Sequence, residues 1–135
     1  MLLKNSTIIL LLALFASCNS QNSSEKNLRP VKGMSFDDYL NHIKSNNKLV
    51  LVDFNATWCG PCKLLKPVVD SQIKKNADKV DLFDIDVDLS PVVATAMNMK
   101  GSPLLLLYKD GKEVWRTTGL IDEEDLADKI NQFDN

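Results

Sequence analysis

Apolar positions along this chain recur in two rhythms, one helical and one extended, and the rhythms predict its elements. After Ser35, a residue suited to cap a helix, Phe36, Tyr39, Leu40 and Ile43 recur at helical spacing and predict a helix over 35–46. The run 48–54 (KLVLVDF) is apolar and β-branched almost throughout, as in a strand covered on both faces. A turn at Gly60-Pro61 leads into Leu64, Leu65, Val68, Val69 and Ile73, a helical series reaching Ala77, with Pro67 inside it as an expected kink. Residues 80–87 read as a second strand, in which Leu82, Asp84 and Asp86 alternate with apolar partners. Ser90-Pro91 places a cap and a first-turn proline ahead of a short helix ending near Met97. A third strand over 104–108, a hairpin turn at Asp110-Gly111 and a fourth strand over 113–118 follow. Residues 123–133 close the chain as a helix with Leu126, Ile130 and Phe133 on one face.

This order predicts an α/β fold: a central mixed β-sheet flanked by helices on both faces. Composition narrows the class without changing that picture. With 135 residues, 44% hydrophobic and 25% charged, the chain is neither collagen-like, disulfide-dense nor wholly disordered. Lys+Arg 16 against Asp+Glu 18 leaves no basic surplus of the kind that neutralises phosphates, so no nucleic-acid partner is expected.

The first residues read as an address. Lys4 is the only charge before Glu25, and Ile8 to Ala16 is an unbroken apolar run. That run is too short for a spanning helix, which needs roughly 20 apolar residues, and has the length of a signal-peptide core. Leu14-Phe15-Ala16-Ser17-Cys18 resembles the lipobox of bacterial lipoproteins, with Phe15 where Leu or Val is usual. The resemblance implies a signal peptide over 1–17, lipid modification at Cys18 and export to the cell envelope. An ordinary cleaved signal with Cys18 as a bystander is the alternative. Residues 19–27 (NSQNSSEKN) hold no apolar side chain, so 18–30 reads as a lipidated Cys with a flexible tether, and 31–135 as the folded domain.

The candidate chemistry lies at Trp58-Cys59-Gly60-Pro61-Cys62. Two Cys with two residues between them, after a buried strand and at a helix start, suit a redox dithiol. Unpaired N–H groups at a helix N-terminus favour an anion, so Cys59 is expected as a thiolate where a free thiol, with a pKa of about 8.5, is mostly protonated. Cys62, nearly one turn on, is close enough to pair with it. Half of a structural zinc site is a second reading, but it requires two further ligands, and only Cys18 and His42 remain. A purely structural disulfide is a third.

These residues resemble the thioredoxin family. The run 58–63 (WCGPCK) matches its active-site signature, Val52-Asp53-Phe54 precedes it at the family's spacing, and Pro67 falls in the active-site helix. Gly101-Ser102-Pro103 matches the loop carrying a cis-proline, and Asp110-Gly111 and Gly119 match the closing hairpin. The resemblance implies that Cys59 is the attacking nucleophile and Cys62 the more buried resolving thiol. It makes Asp53 a buried carboxylate that exchanges a proton with Cys62, with a turn-capping Asp as the alternative. Trp58, Gly60, Pro61, Ser102 and Pro103 would border the substrate. No metal or organic cofactor is implied.

The chain departs from the family at Asn55 (usually Trp), Leu82 (assigned here to a Lys near the buried Asp), Ser102 (usually Ile) and Leu104 (commonly Thr). Without that Lys, Asp53 is expected to hold its proton more tightly. The function expected is a lipid-anchored, monomeric thiol–disulfide oxidoreductase of the envelope that reduces disulfides in protein substrates, fed by a membrane dithiol donor. Envelope disulfide oxidase or isomerase, and a non-catalytic docking module on the same fold, are the alternatives.

Overall fold

The computed structural model describes residues 33–134. The expected signal segment 1–17, the tether 18–30 and Cys18 lie outside the described residues. The elements follow in the order α1 (Phe36–Lys44), β1 (Leu49–Asn55), α2 (Gly60–Lys75), β2 (Val80–Asp86), α3 (Pro91–Ala96), β3 (Leu104–Lys109), β4 (Lys112–Thr118) and α4 (Glu123–Phe133). Every expected element is present, with ends displaced by one or two residues, as fraying and capping allow.

Four strands form one sheet in the order β2-β1-β3-β4. β1 pairs parallel with β2 and antiparallel with β3, and β3 pairs antiparallel with β4, so the sheet is mixed. Asp110 and Gly111 take φ 51 and 76, the left-handed conformations that a tight two-residue hairpin demands at both central positions.

Strand alternation builds two cores. Val50, Val52 and Phe54 of β1 join Phe83, Ile85, Leu104 and Leu106 against Tyr39 and Ile43 of α1 and Val93 of α3. Leu49 and Leu51 join Val80, Leu82, Leu105 and Leu107 against Leu65 and Val69 of α2 and Leu126 and Ile130 of α4. α1 and α3 therefore cover one face, α2 and α4 the other. Tyr39 keeps its hydroxyl satisfied in the first core by donating to Tyr108 Oη at 2.8 Å.

The second core is what carries α2, and with it the cysteine pair. Ser71 Oγ donates to Glu123 Oε1 at 2.6 Å, and Lys75 Nζ does so at 2.5 Å, tying α2 to the start of α4. Leu106, fully buried in the interior strand β3, tests the first core. Leu106→Ala should lower unfolding free energy by about 2–5 kcal/mol, read as an earlier urea midpoint with an unchanged slope.

Candidate active site

β1 ends at Asn55, and four residues carry the chain to α2. Cys59 donates its backbone N–H to Ala56 O at 3.1 Å, closing this turn. Cys59 is the N-cap of α2, with extended backbone (φ −78, ψ 105), and Gly60 and Pro61 begin the helix. Proline is harmless there because first-turn N–H groups lack helical partners. The cap geometry aims Cys59 Sγ at the helix start, where it accepts the Cys62 N–H at 3.2 Å. Cys59 and Cys62 are joined as a disulfide, with Cα atoms 5.3 Å apart.

Both sulfurs are enclosed. Cys59 is 3% exposed and Cys62 7%, so the expectation that Cys62 is the more buried of the two does not hold in this oxidised state. Ala56 and Val87 pack with the pair. The Ser102-Pro103 peptide is cis. Ser102 Oγ lies 3.2 Å from Cys62 Sγ. Trp58 stands outside, 68% exposed, and donates Nε1–H to Asp88 Oδ2 at 2.7 Å. A groove of about 300 Å³ opens beside Trp58 and runs between Val87, Ala94, Met99 and Ser102.

Asp53 occupies the fifth position of β1. By alternation it shares a face with Leu49 and Leu51, the face that α2 covers. It is buried, and its Oδ1 has no hydrogen-bond partner. Burial pushes its carboxyl up to about 7; the Asp84 charge adds to this, and Lys66 opposes it. The register explains Asp84. Leu51 pairs with Leu82, and Asp53 pairs with Asp84. The neighbour of the buried carboxyl is therefore Asp84, not Leu82 as the spacing suggested, and a like charge stands where a cation was sought. Counting from the two strand starts would have found it, since each Asp is the fifth residue of its strand.

Asn55 belongs to the same group. Its Nδ2 donates to Asp84 Oδ1, and also lies 3.3 Å from the Asp53 carbonyl oxygen. It ties the two strands together. His42, the other ligand that a zinc site with the cysteine pair would need, sits on α1, across the sheet from α2. It stacks on Phe83 with ring centroids 3.8 Å apart.

This arrangement can carry out thiol–disulfide exchange: an anion-stabilising helix start, two sulfurs in bonding reach and a buried carboxyl that titrates near neutrality. The thioredoxin family model matches residues 29–132. Thioredoxin of Chlamydia muridarum is 41% identical over 102 residues, covering 76% of this chain and 97% of that one. Thioredoxin H2 of Arabidopsis thaliana is 40% identical over 95 residues, 70% of each chain. An N21Q mutant thioredoxin from Halobacterium salinarum superposes with a TM-score of 0.68 at 36% identity, covering 79% of this chain and 92% of its own.

The chain belongs to the thioredoxin family. Its Cys59–Cys62 pair makes it a thiol–disulfide oxidoreductase of the disulfide-reductase class.

For a family member with this charge pair, folding stability must depend on pH. Unfolded, Asp53 releases its proton near about 3.9; folded, it keeps it to about 7. The native state binds the extra proton between these values, so stability falls as pH rises through that window and levels off above it. Asp53→Asn should gain about 4 kcal/mol over the parent chain at pH 8 and less than about 1 kcal/mol at pH 4, measured by urea unfolding at both values.

Proposed function

We propose that the protein is a lipid-anchored disulfide reductase of the bacterial cell envelope, acting on exported proteins at the periplasm-facing membrane surface. The observation that carries the chemistry is the Cys62 N–H donated to Cys59 Sγ at the start of α2. It marks Cys59 as the sulfur whose negative charge the helix favours.

Cys59 thiolate attacks one sulfur of a substrate disulfide, and the other leaves as a thiolate that takes a proton from water. Cys62 then attacks Cys59 Sγ and expels the second substrate sulfur. Two electrons pass to the substrate, and a 59–62 disulfide remains. Asp53, titrating near neutrality, accepts the Cys62 proton when ionised and returns it on re-reduction. Trp58 and Ser102 line the groove beside the pair, where an extended segment of substrate would lie; Gly60, Pro61 and Pro103, next to them in the chain, would meet that segment at its edge.

Location rests on the N-terminal pattern: one basic residue, a short apolar core and Cys18 after Ala16-Ser17. An exported reductase needs electrons from across the membrane, which makes a membrane-embedded dithiol carrier the chemically suitable donor.

Two measurements address the two halves of this reading. Cys59→Ser should reduce insulin-disulfide reduction with dithiothreitol to the uncatalysed rate, while Cys62→Ser should accumulate a mixed disulfide on non-reducing gels. A Cys59→Ser chain that keeps full activity in its host would identify a docking module instead. Separately, Cys18→Ala should abolish incorporation of labelled palmitate and move the protein from the membrane to the soluble fraction. Retention in the membrane without label would refute the anchor.

A further inference from the structure

The two sulfurs of the pair have different hydrogen-bond donors. The helix start supplies Cys59 Sγ with the Cys62 N–H at 3.2 Å. That donor is fixed by the cap, and it serves the first sulfur. Cys62 Sγ lies instead 3.2 Å from Ser102 Oγ, on the loop that precedes β3. A disulfide sulfur carries no hydrogen, so in this state the hydroxyl is the donor. Ser102 is half-buried beside Cys62, a residue 7% exposed, in surroundings where water competes poorly for the bond.

We propose that Ser102 is a catalytic residue of the resolving step, its hydroxyl holding the Cys62 sulfur as a thiolate ready to attack the mixed disulfide. This rests on the redox reading above and assigns Ser102 a task beyond bordering the substrate. When the pair is reduced, Cys62 loses its proton to Asp53 or water and becomes a far better acceptor than a disulfide sulfur. Ser102 keeps its own proton throughout and only donates the bond. As the Cys62–Cys59 bond forms, the electron pair leaves on the substrate sulfur, and the hydrogen bond weakens to the one seen here. A bond that strengthens on reduction also favours the dithiol over the disulfide. Ser102 thus raises the thiolate fraction of Cys62 and makes the couple more oxidising than it would be without a hydroxyl.

Thr and Val have nearly the same shape and differ by the hydroxyl, so Ser102→Thr and Ser102→Val form the decisive comparison. In the full-length Cys59→Ser chain, the pH dependence of Cys62 alkylation by iodoacetamide is followed on the Cys62 peptide by mass spectrometry, which keeps Cys18 out of the signal. Ser102→Val should raise the midpoint by about one pH unit, and Ser102→Thr should leave it where Ser has it. In chains with both cysteines, the glutathione equilibrium should move about threefold to tenfold toward the disulfide with Val and stay in place with Thr. Thr and Val variants that agree in midpoint overturn the assignment. A pair that never exchanges with glutathione overturns the redox reading instead, and the alkylation midpoints still decide the role of Ser102.

Discussion

Everything at this site depends on Cys59 being the last residue before α2 that is not yet helical. Its extended backbone turns the sulfur back over the helix start, where the Cys62 N–H reaches it. Three further contacts set that position. The Cys59 N–H is held by Ala56 O, Val87 N–H is held by Asn55 O just beyond β2, and the α2 face is anchored by Leu65 and Val69 in the second core. A one-residue slip of β1 against β2 would move Asp53 to the opposite face and detach the turn from the helix it feeds. The register of a buried parallel pair is therefore what positions a sulfur.

Polarity along the two parallel strands follows the same geometry. On the face covered by α2, β1 reads Leu49, Leu51, Asp53, Asn55, and β2 reads Val80, Leu82, then Asp84 and Asp86. The apolar halves bury against α2 and α4, while the polar halves sit at the end where α2 begins. Asp86, itself buried, accepts the N–H groups of Asp88 and Leu89 and so shapes the loop that holds Asp88 under Trp58. One end of the sheet is core and the other is site.

Much of this could be read from the residues. The alternation of KLVLVDF, the cap at Ser35, the Asp110-Gly111 turn and the helical series in α2 and α4 are local signals, and each marks its element within one or two residues. The WCGPC run was equally legible because its chemistry depends on spacing along one turn. What escaped depends on pairing between distant segments. Asp84 became the neighbour of Asp53 through a register that no single segment states, and Asn55 gained its partner through the same pairing. Val87, which lies beyond β2, packs against the cluster that holds both cysteines, and the Ser102 contact with Cys62 joins residues forty apart.

The two polar groups serving the cysteines meet opposite physical demands. Asp53 is kept near neutrality by burial and by a like charge at Asp84. Both conditions disfavour its ionised form in the folded chain, so above neutral pH this carboxyl subtracts from folding stability. A cation in place of Asp84 would stabilise the charged form and draw the carboxyl toward the ordinary range. Ser102 has the reverse task. A hydroxyl does not ionise in the working range, so it can stabilise a sulfur anion without adding a charge. The donor beside Cys62 is thus neutral, while the carboxyl on β1 owes its proton affinity to burial and to Asp84.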